Sequence, residues 1–243
     1  TMAPKHKAKL MRLRDDFPFF AKNCLKIRTK EGRLQQFVLN PIQRSLDAIV
    51  EQQRAQGKPI RIIVLKARQV GISTYVEGKL FQRTAMRPLV NSLIVAHKED
   101  ASTNLFNMSK LFYEEMPPVL RPMKKASNAK ELIFENPDND LLRKQRNPGL
   151  RSRIKIDTAK NTGAGRSETI HNLHASEVAF WDRADEVMLG LLQAVPNASD
   201  TMVILESTAN GAGGYFYDLW QRAEAGETDF APVFFPWYAH PEY

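Results

Sequence analysis

The chain has 243 residues, 43% hydrophobic and 26% charged, a globular composition that excludes a largely disordered protein. No apolar run approaches the roughly 18–20 residues that cross a bilayer, no signal-peptide pattern opens the chain, and the single cysteine, Cys24, excludes an internal disulfide and a cysteine-based zinc site; the expectation is a soluble intracellular protein. The net charge of +8 is concentrated in two blocks, residues 1–30 with nine Lys/Arg against two Asp/Glu and residues 121–166 with twelve against five, which suggests a polyanionic partner.

Residues 1–33 read as a basic N-terminal arm with short helices, and residues 34–243 as one domain. Asn40-Pro41 is a helix-start signal, with Ile42, Leu46, Ile49 and Val50 following at helical spacing. Ile60 to Leu65 reads as a buried strand, and the turn at 68–71 leads into a helix carrying Val76, Leu80 and Phe81. Ser92 to Ala96 predicts a second buried strand. A helix with Leu105, Met108, Leu111 and Phe112 on its inner face follows, capped by Asp100 or Ser102 and stopped by Pro117-Pro118. Residues 131–135 and 153–157 read as an antiparallel edge pair, and Thr169–Leu173, Met202–Leu205 and Val233–Phe235 as further strands. Helices are expected over 182–193 and from Gly214 through Trp220. Strands alternating with helices predict an α/β fold, a mostly parallel sheet with helices on both faces.

Three segments carry chemistry. Lys66-Ala67-Arg68-Gln69-Val70-Gly71-Ile72-Ser73-Thr74 lies between a strand and a helix, the context in which backbone N–H groups cradle phosphate and a Ser/Thr hydroxyl holds Mg²⁺. Gly71 and Ser73 fit the general phosphate-loop pattern; Ile72 stands at its lysine position and Lys66 at its first glycine. His174-Ala175-Ser176-Glu177 follows a strand, where such ATPases place one acid for Mg²⁺ and one for water. Glu177 suits the water role, and Ser176 replaces the metal-side acid. Leu205-Glu206-Ser207-Thr208-Ala209-Asn210-Gly211 ends the next strand with small polar groups able to sense a γ-phosphate. Glu206 itself reads as structural rather than catalytic. The histidines 97, 171 and 174 and the tryptophans 181, 220 and 237 read as structural.

In order and spacing these segments resemble the ATPase domain of the large terminase subunit of tailed bacteriophages, over about residues 35–240. The resemblance implies a P-loop NTPase fold of the ASCE type. It implies ATP as the nucleotide, bound by Gln43 at the base and by the loop Lys66, Ala67, Arg68, Gln69, Val70, Gly71, Ile72, Ser73 and Thr74, with Lys66 or Arg68 replacing the usual lysine. Mg²⁺ falls to Ser73 and Ser176, catalysis to Glu177, and coupling to Ser207, Thr208, Ala209 and Asn210. Arg166, eleven residues before Glu177, stands where the family carries an arginine that enters the neighbouring subunit's site.

The implied function is a motor domain that drives double-stranded DNA into a procapsid in the host cytoplasm, docked transiently and absent from the mature virion. The implied partners are the portal protein, the small terminase subunit and further copies in a ring, with a monomer in isolation and no membrane. Large terminases carry a nuclease domain after this one. The chain ends at Tyr243, and no nuclease activity is expected. Two rival readings are a catalytically weak DNA- or capsid-binding scaffold, favoured by the changes at Ile72 and Ser176, and a helicase-like ATPase.

Overall fold

A computed structural model describes residues 4–165 and 168–239. Its strands are β1 (Lys26–Arg28), β2 (Leu34–Gln36), β3 (Ile60–Lys66), β4 (Asn91–Ala96), β5 (Ala126–Ser127), β6 (Glu131–Phe134), β7 (Ser152–Thr158), β8 (Asn172–Ser176), β9 (Met202–Ser207) and β10 (Ala231–Phe235). Eight form one sheet in the order β10-β3-β9-β8-β4-β7-β6-β5. The six strands from β10 to β7 are parallel; β6 and β5 close one edge antiparallel.

The continuous apolar runs of β3, β4 and β9 are what a parallel strand covered on both faces requires. Alternation then sorts their side chains. Ile62, Val64, Ile94 and Ile204 enter one core, while Ile63, Val95, Val203 and Leu205 enter the other. The first core is covered by α1 (Pro4–Asp15), α2 (Phe17–Cys24), α3 (Pro41–Ala55), α4 (Ile72–Ala85) and α5 (Glu99–Glu115), the second by α7 (Ala184–Gln193) and α8 (Tyr215–Glu224). A short α6 (Leu141–Arg146) lies in the connection between β6 and β7.

The expected starts and stops are largely present. Asn40 caps α3 in a full capping box with Gln43, with Pro41 at the first helical position. The 131–135 and 153–157 segments pair antiparallel, and β7 also joins β4 in parallel. Three readings differ. The basic N-terminal stretch is packed into the domain: Leu13, Phe17 and Phe20 are buried in the first core, and the Phe17 ring meets Tyr75 edge-on at 5.3 Å. The strand expected over 169–173 runs from Asn172 to Ser176, because its polar His174 and Ser176 are bonded inside the protein and so hide the strand from hydropathy. α5 begins at Glu99 with no side-chain cap from Asp100 or Ser102; the Ser102 hydroxyl instead donates to the carbonyls of Lys98 and Asp157.

Buried ion pairs tie α3 to α4. Tyr75 donates its hydroxyl to Asp47 at 2.8 Å, and Lys79 Nζ lies 3.2 Å from Asp47 and 2.7 Å from Glu51. They hold the middle of α3 against the first half of α4.

Candidate nucleotide site

Lys66 ends β3, Ser176 ends β8 and Glu206 lies at the end of β9, side by side in the sheet, with Ser176 in register with Glu206 and Leu65 with Ser207. This is the carboxyl end of the parallel strands, where open α/β sheets bind ligands.

The loop from Lys66 to Gly71 is shaped from within and braced from behind. Val70 and Ile72 are each 1% exposed and belong to the first core. Ile72 at the usual lysine position therefore anchors the loop and cannot offer a charge. Gly71 has φ of +81°, and a Cβ there would sit 2.8 Å from Gln43 Nε2, so both backbone and space demand glycine. Asn40 Nδ2 donates to the Val70 carbonyl at 3.3 Å and Gln43 Nε2 to the Gly71 carbonyl at 2.8 Å. With those carbonyls held, the N–H groups of Gln69, Val70, Gly71 and Ser73, at the entrance to α4, have no hydrogen-bond partner among the described residues. Consecutive free N–H groups at a helix N-terminus favour an anion.

Lys66 is the cation inside the site. Its Nζ lies 3.0 Å from Glu177 Oε1 and 3.0 Å from Glu206 Oε2. Burial works against its charge, but the two carboxylates outweigh that and raise its pKa. Arg68 is exposed on the loop.

Glu177 follows β8 in the left-handed region, φ 54° and ψ 44°, a conformation costing a non-glycine residue on the order of 1–2 kcal/mol. The segment that ends β9 holds it there: Glu177 Oε2 accepts from Thr208 N at 3.1 Å, Thr208 Oγ1 at 3.1 Å and Ser207 Oγ at 3.4 Å. Ala179 N donates to Ser207 Oγ, and Asn210 Nδ2 to the Ala179 carbonyl. Strain held by several bonds at a strand end marks a residue whose orientation matters. Trp181 is buried and donates its indole N–H to the Ser176 carbonyl at 3.0 Å, a structural role.

Glu206 is fully buried and is the hub that sequence reasoning passed over. Its Oε1 accepts from Ser73 Oγ at 2.8 Å and Ser176 Oγ at 2.7 Å, and lies 3.2 Å from His174 Nε2. His174 Nδ1 meets Glu77 Oε1 at 2.6 Å, and Ser109 donates to Glu77 Oε2. Burial opposes every charge in this chain of groups. The bonds to His174 and the charge of Lys66 nevertheless hold the Glu206 carboxyl down to about 2, and the two glutamates raise His174 to about 9. For Glu77 burial prevails and the carboxyl is pushed up. The available sequence signal was a carboxylate closing an otherwise apolar strand, Met202 to Leu205.

Gln43, which the resemblance assigns to the adenine, is 4% exposed, and its amide is engaged at both ends: Oε1 accepts from Asn40 N and Nε2 donates to Gly71. Thr74 borders a cavity of about 470 Å³ formed with Ile27, Arg28, Met108 and Leu111. Ala67 is half-buried, and Ala209 and Asn210 are exposed. Arg166 lies outside the described residues.

The oxygens gathered at Ser73 and Glu206 fit a nucleotide-bound Mg²⁺, which takes hard oxygen ligands, few of them from protein. Glu206 Oε2 is buried and, beyond the Lys66 ammonium, has no hydrogen-bond donor among the described residues. Among the described residues no group of three or more His, Cys, Asp or Glu could hold a metal by itself, so phosphate and water would complete the shell.

Neither a protein-family model nor a curated protein matches the chain. Solved structures do. The HK97 bacteriophage large terminase superposes with a TM-score of 0.67 at 14% identity, over 92% of this chain and 43% of that one. The chain has the fold of a large terminase ATPase domain. A point mutant of the Thermus phage P74-26 large terminase ATPase domain gives 0.61 at 15% identity, over 82% of this chain and 81% of that one. A large terminase from a thermophilic bacteriophage gives 0.57 at 10%, over 79% and 44%; another structure of that terminase, in complex with ADP, gives 0.50. The chain thus spans less than half the length of the HK97 terminase and of the thermophilic phage's enzyme. Among the described residues no helix is long and apolar enough to cross a membrane.

Proposed function

We propose that this chain is the ATP-hydrolysing motor domain of a phage DNA-packaging terminase, powering translocation of double-stranded DNA into a procapsid. The observation that carries the reading is the meeting of Lys66 and Glu177 at 3.0 Å beside the braced loop, a phosphate-binding cation at the end of β3 and a water-orienting carboxylate after β8, brought together across the end of β9. The loop N–H groups hold the phosphates, and Lys66 adds the charge that Ile72 lacks. Glu177, aimed by Thr208, orients and deprotonates the attacking water. Mg²⁺ bound with the nucleotide would neutralise charge on the phosphates, with Ser73 and Ser176 on its side of the site. Ser207 and Thr208 bond the Glu177 carboxylate and run on into the exposed Ala209 and Asn210, a segment that would pass the nucleotide state outward. Portal protein, small subunit and further copies in a ring are the partners, in the host cytoplasm.

The test is phosphate release with and without double-stranded DNA, for the wild type and Glu177→Gln. The wild type should hydrolyse ATP, and the variant should bind ATP but turn over roughly 10²–10⁴-fold more slowly. A variant keeping half of wild-type turnover would remove Glu177 from the catalytic role.

Arg166 completes the proposal as a residue acting across a subunit boundary, where an arginine adds roughly 10³–10⁵-fold in related phosphoryl transfers. Arg166→Ala and Glu177→Gln should each be inactive, and mixing them under assembling conditions should restore part of the activity. A mixture that stays inactive while both variants co-assemble rules the trans role out.

A further inference from the structure

We propose that Glu206, on β9, supplies the metal-side carboxylate that other P-loop ATPases carry at the end of the strand where this chain has Ser176. The inference rests on the ATPase reading above. P-loop enzymes hold Mg²⁺ with the loop Ser/Thr and an acid at the end of a second sheet strand. Here that strand end offers a hydroxyl, Ser176, which carries no charge. The missing charge lies one strand over. Ser176 and Glu206 are paired in register across β8 and β9, so their side chains emerge next to each other on the same face of the sheet. Glu206 Oε1 takes the hydroxyls of both Ser73 and Ser176, at 2.8 and 2.7 Å. One carboxylate therefore orients the loop serine and the serine that replaced the acid.

The surroundings favour a charge-bearing role over simple packing. Glu206 has no exposure, and an uncompensated carboxylate is costly there. The site compensates it with Lys66 at 3.0 Å on one oxygen and His174 at 3.2 Å on the other. His174 is braced in turn by Glu77 at 2.6 Å. A residue wanted only for packing in this strand could be apolar like its neighbours Val203 to Leu205, and the whole chain of compensating groups could then be dispensed with. Glu206 is accordingly a positioning residue: it fixes the Ser73 and Ser176 oxygens and lends them negative charge, so that a Mg²⁺ arriving with the nucleotide finds an oriented, anionic set of oxygens. Exchange of acid and hydroxyl between two adjacent strand ends leaves the net charge of the site unchanged.

The exchange can be reversed by mutation. Affinity for ADP is measured by calorimetry with Mg²⁺ and with EDTA, and Mn²⁺ bound with ADP is followed by electron paramagnetic resonance. Wild type should bind ADP more tightly with metal. Glu206→Gln should bind ADP in EDTA within about threefold of wild type but lose at least tenfold of the metal-dependent gain and of Mn²⁺ affinity. The swap Ser176→Asp with Glu206→Ser keeps a counter-ion for Lys66 and His174, so it is the variant to rely on if Glu206→Gln does not fold. It should retain the metal-dependent gain within about threefold. The inference is overturned if Glu206→Gln keeps the full gain, if it weakens ADP equally with and without metal, or if the folded swap variant loses the gain. Wild type that binds no ADP under either condition would overturn the ATPase reading as well; wild type that binds ADP while the variants fail as stated overturns this inference alone.

Discussion

Ile72 and Lys66 have exchanged the places that phosphate loops usually give to a lysine and a small residue, and burial explains the exchange. Ile72 turns into the first core, whereas Lys66, at the last position of β3, turns toward Glu177 and Glu206. The two positions should therefore fail differently. Ile72→Ala leaves a cavity and should cost about 2–5 kcal/mol of stability, with ADP affinity of the folded protein little changed. Lys66→Ala removes a charged hydrogen-bond donor, of order 1.5–3 kcal/mol, and should weaken nucleotide binding roughly ten- to a hundredfold. Thermal unfolding and calorimetric titration of both variants separate the effects; unchanged affinity in Lys66→Ala would take the phosphate-binding charge away from β3. The residues that carry this argument were partly legible. Lys66, Gly71, Ser73 and Glu177 stand at readable distances from one another, and the Asn40-Pro41 cap announces itself. Glu206 was not legible as a site residue, because its role comes from β8 and β9 lying side by side, a pairing of residues thirty positions apart that no local pattern encodes. Glu77 was hidden in the same way, as an acid on the buried face of α4.

At the scale of elements, the site depends on how α4 leaves the loop, and α4 is clamped from two sides. Asp47 and Glu51 of α3 hold Lys79, and the aromatic rings of the N-terminal region press on Gly78. A Cβ at Gly78 would lie 2.9 Å from Phe17 Cζ and 2.9 Å from Phe37 Cε1, and both rings are fully buried. Helix propensity favours Gly78→Ala by about 1 kcal/mol. Overpacking against two immobile rings costs about 1–3 kcal/mol, so the clash should win and the variant should melt lower. Chemical denaturation of the purified variant decides the sign; a stabilised Gly78→Ala would mean that α2 and the Phe37 segment shift freely over α4. The same contact explains why the N-terminal helices were misjudged from sequence. Their charge suggests an arm, but Leu13, Phe17 and Phe20 are spaced to bury one stripe each, and the surface they cover, centred on a glycine of α4, becomes visible only once the helices are placed. The β1–β2 hairpin and α6 were missed for the opposite reason: they expose most of their side chains, so no hydrophobic period marks them.

For the whole molecule, the question is how much of the two basic blocks is available to DNA. Much of the nominal charge is already paired within the protein. Arg12 meets Asp16 at 3.0 Å, Arg14 meets Asp15 at 2.8 Å, Lys26 meets Glu115 at 2.7 Å, Lys125 meets Glu135 at 3.0 Å, and Arg153 and Lys155 share Glu168. By contrast, Lys5, Lys7 and Lys9 on α1, and Lys124, Lys130 and Arg146 near the antiparallel edge, are exposed and have no ion-pair partner among the described residues. On the proposed DNA-translocating function these six, with the equally exposed Lys22, Arg28, Arg151 and Lys160, are the candidates for phosphate contacts. Binding to duplex DNA should be insensitive to sequence and should weaken steeply with salt, with a slope of about −0.9 per phosphate contact in log affinity against log salt. Fluorescence anisotropy on two duplexes of unrelated sequence measures both properties. Replacing Lys5, Lys7 and Lys9 together by alanine, or Lys124, Lys130 and Arg146 together, should lower affinity equally on both duplexes and flatten the slope by up to about 2.7, about 0.9 for each contact removed. Lys26→Ala and Lys125→Ala should leave the slope nearly unchanged, because those charges are already engaged by carboxylates. A flat salt titration, a strong preference for one duplex, or a larger effect from the paired lysines than from the unpaired ones would show that DNA is gripped elsewhere on this chain or through its partners.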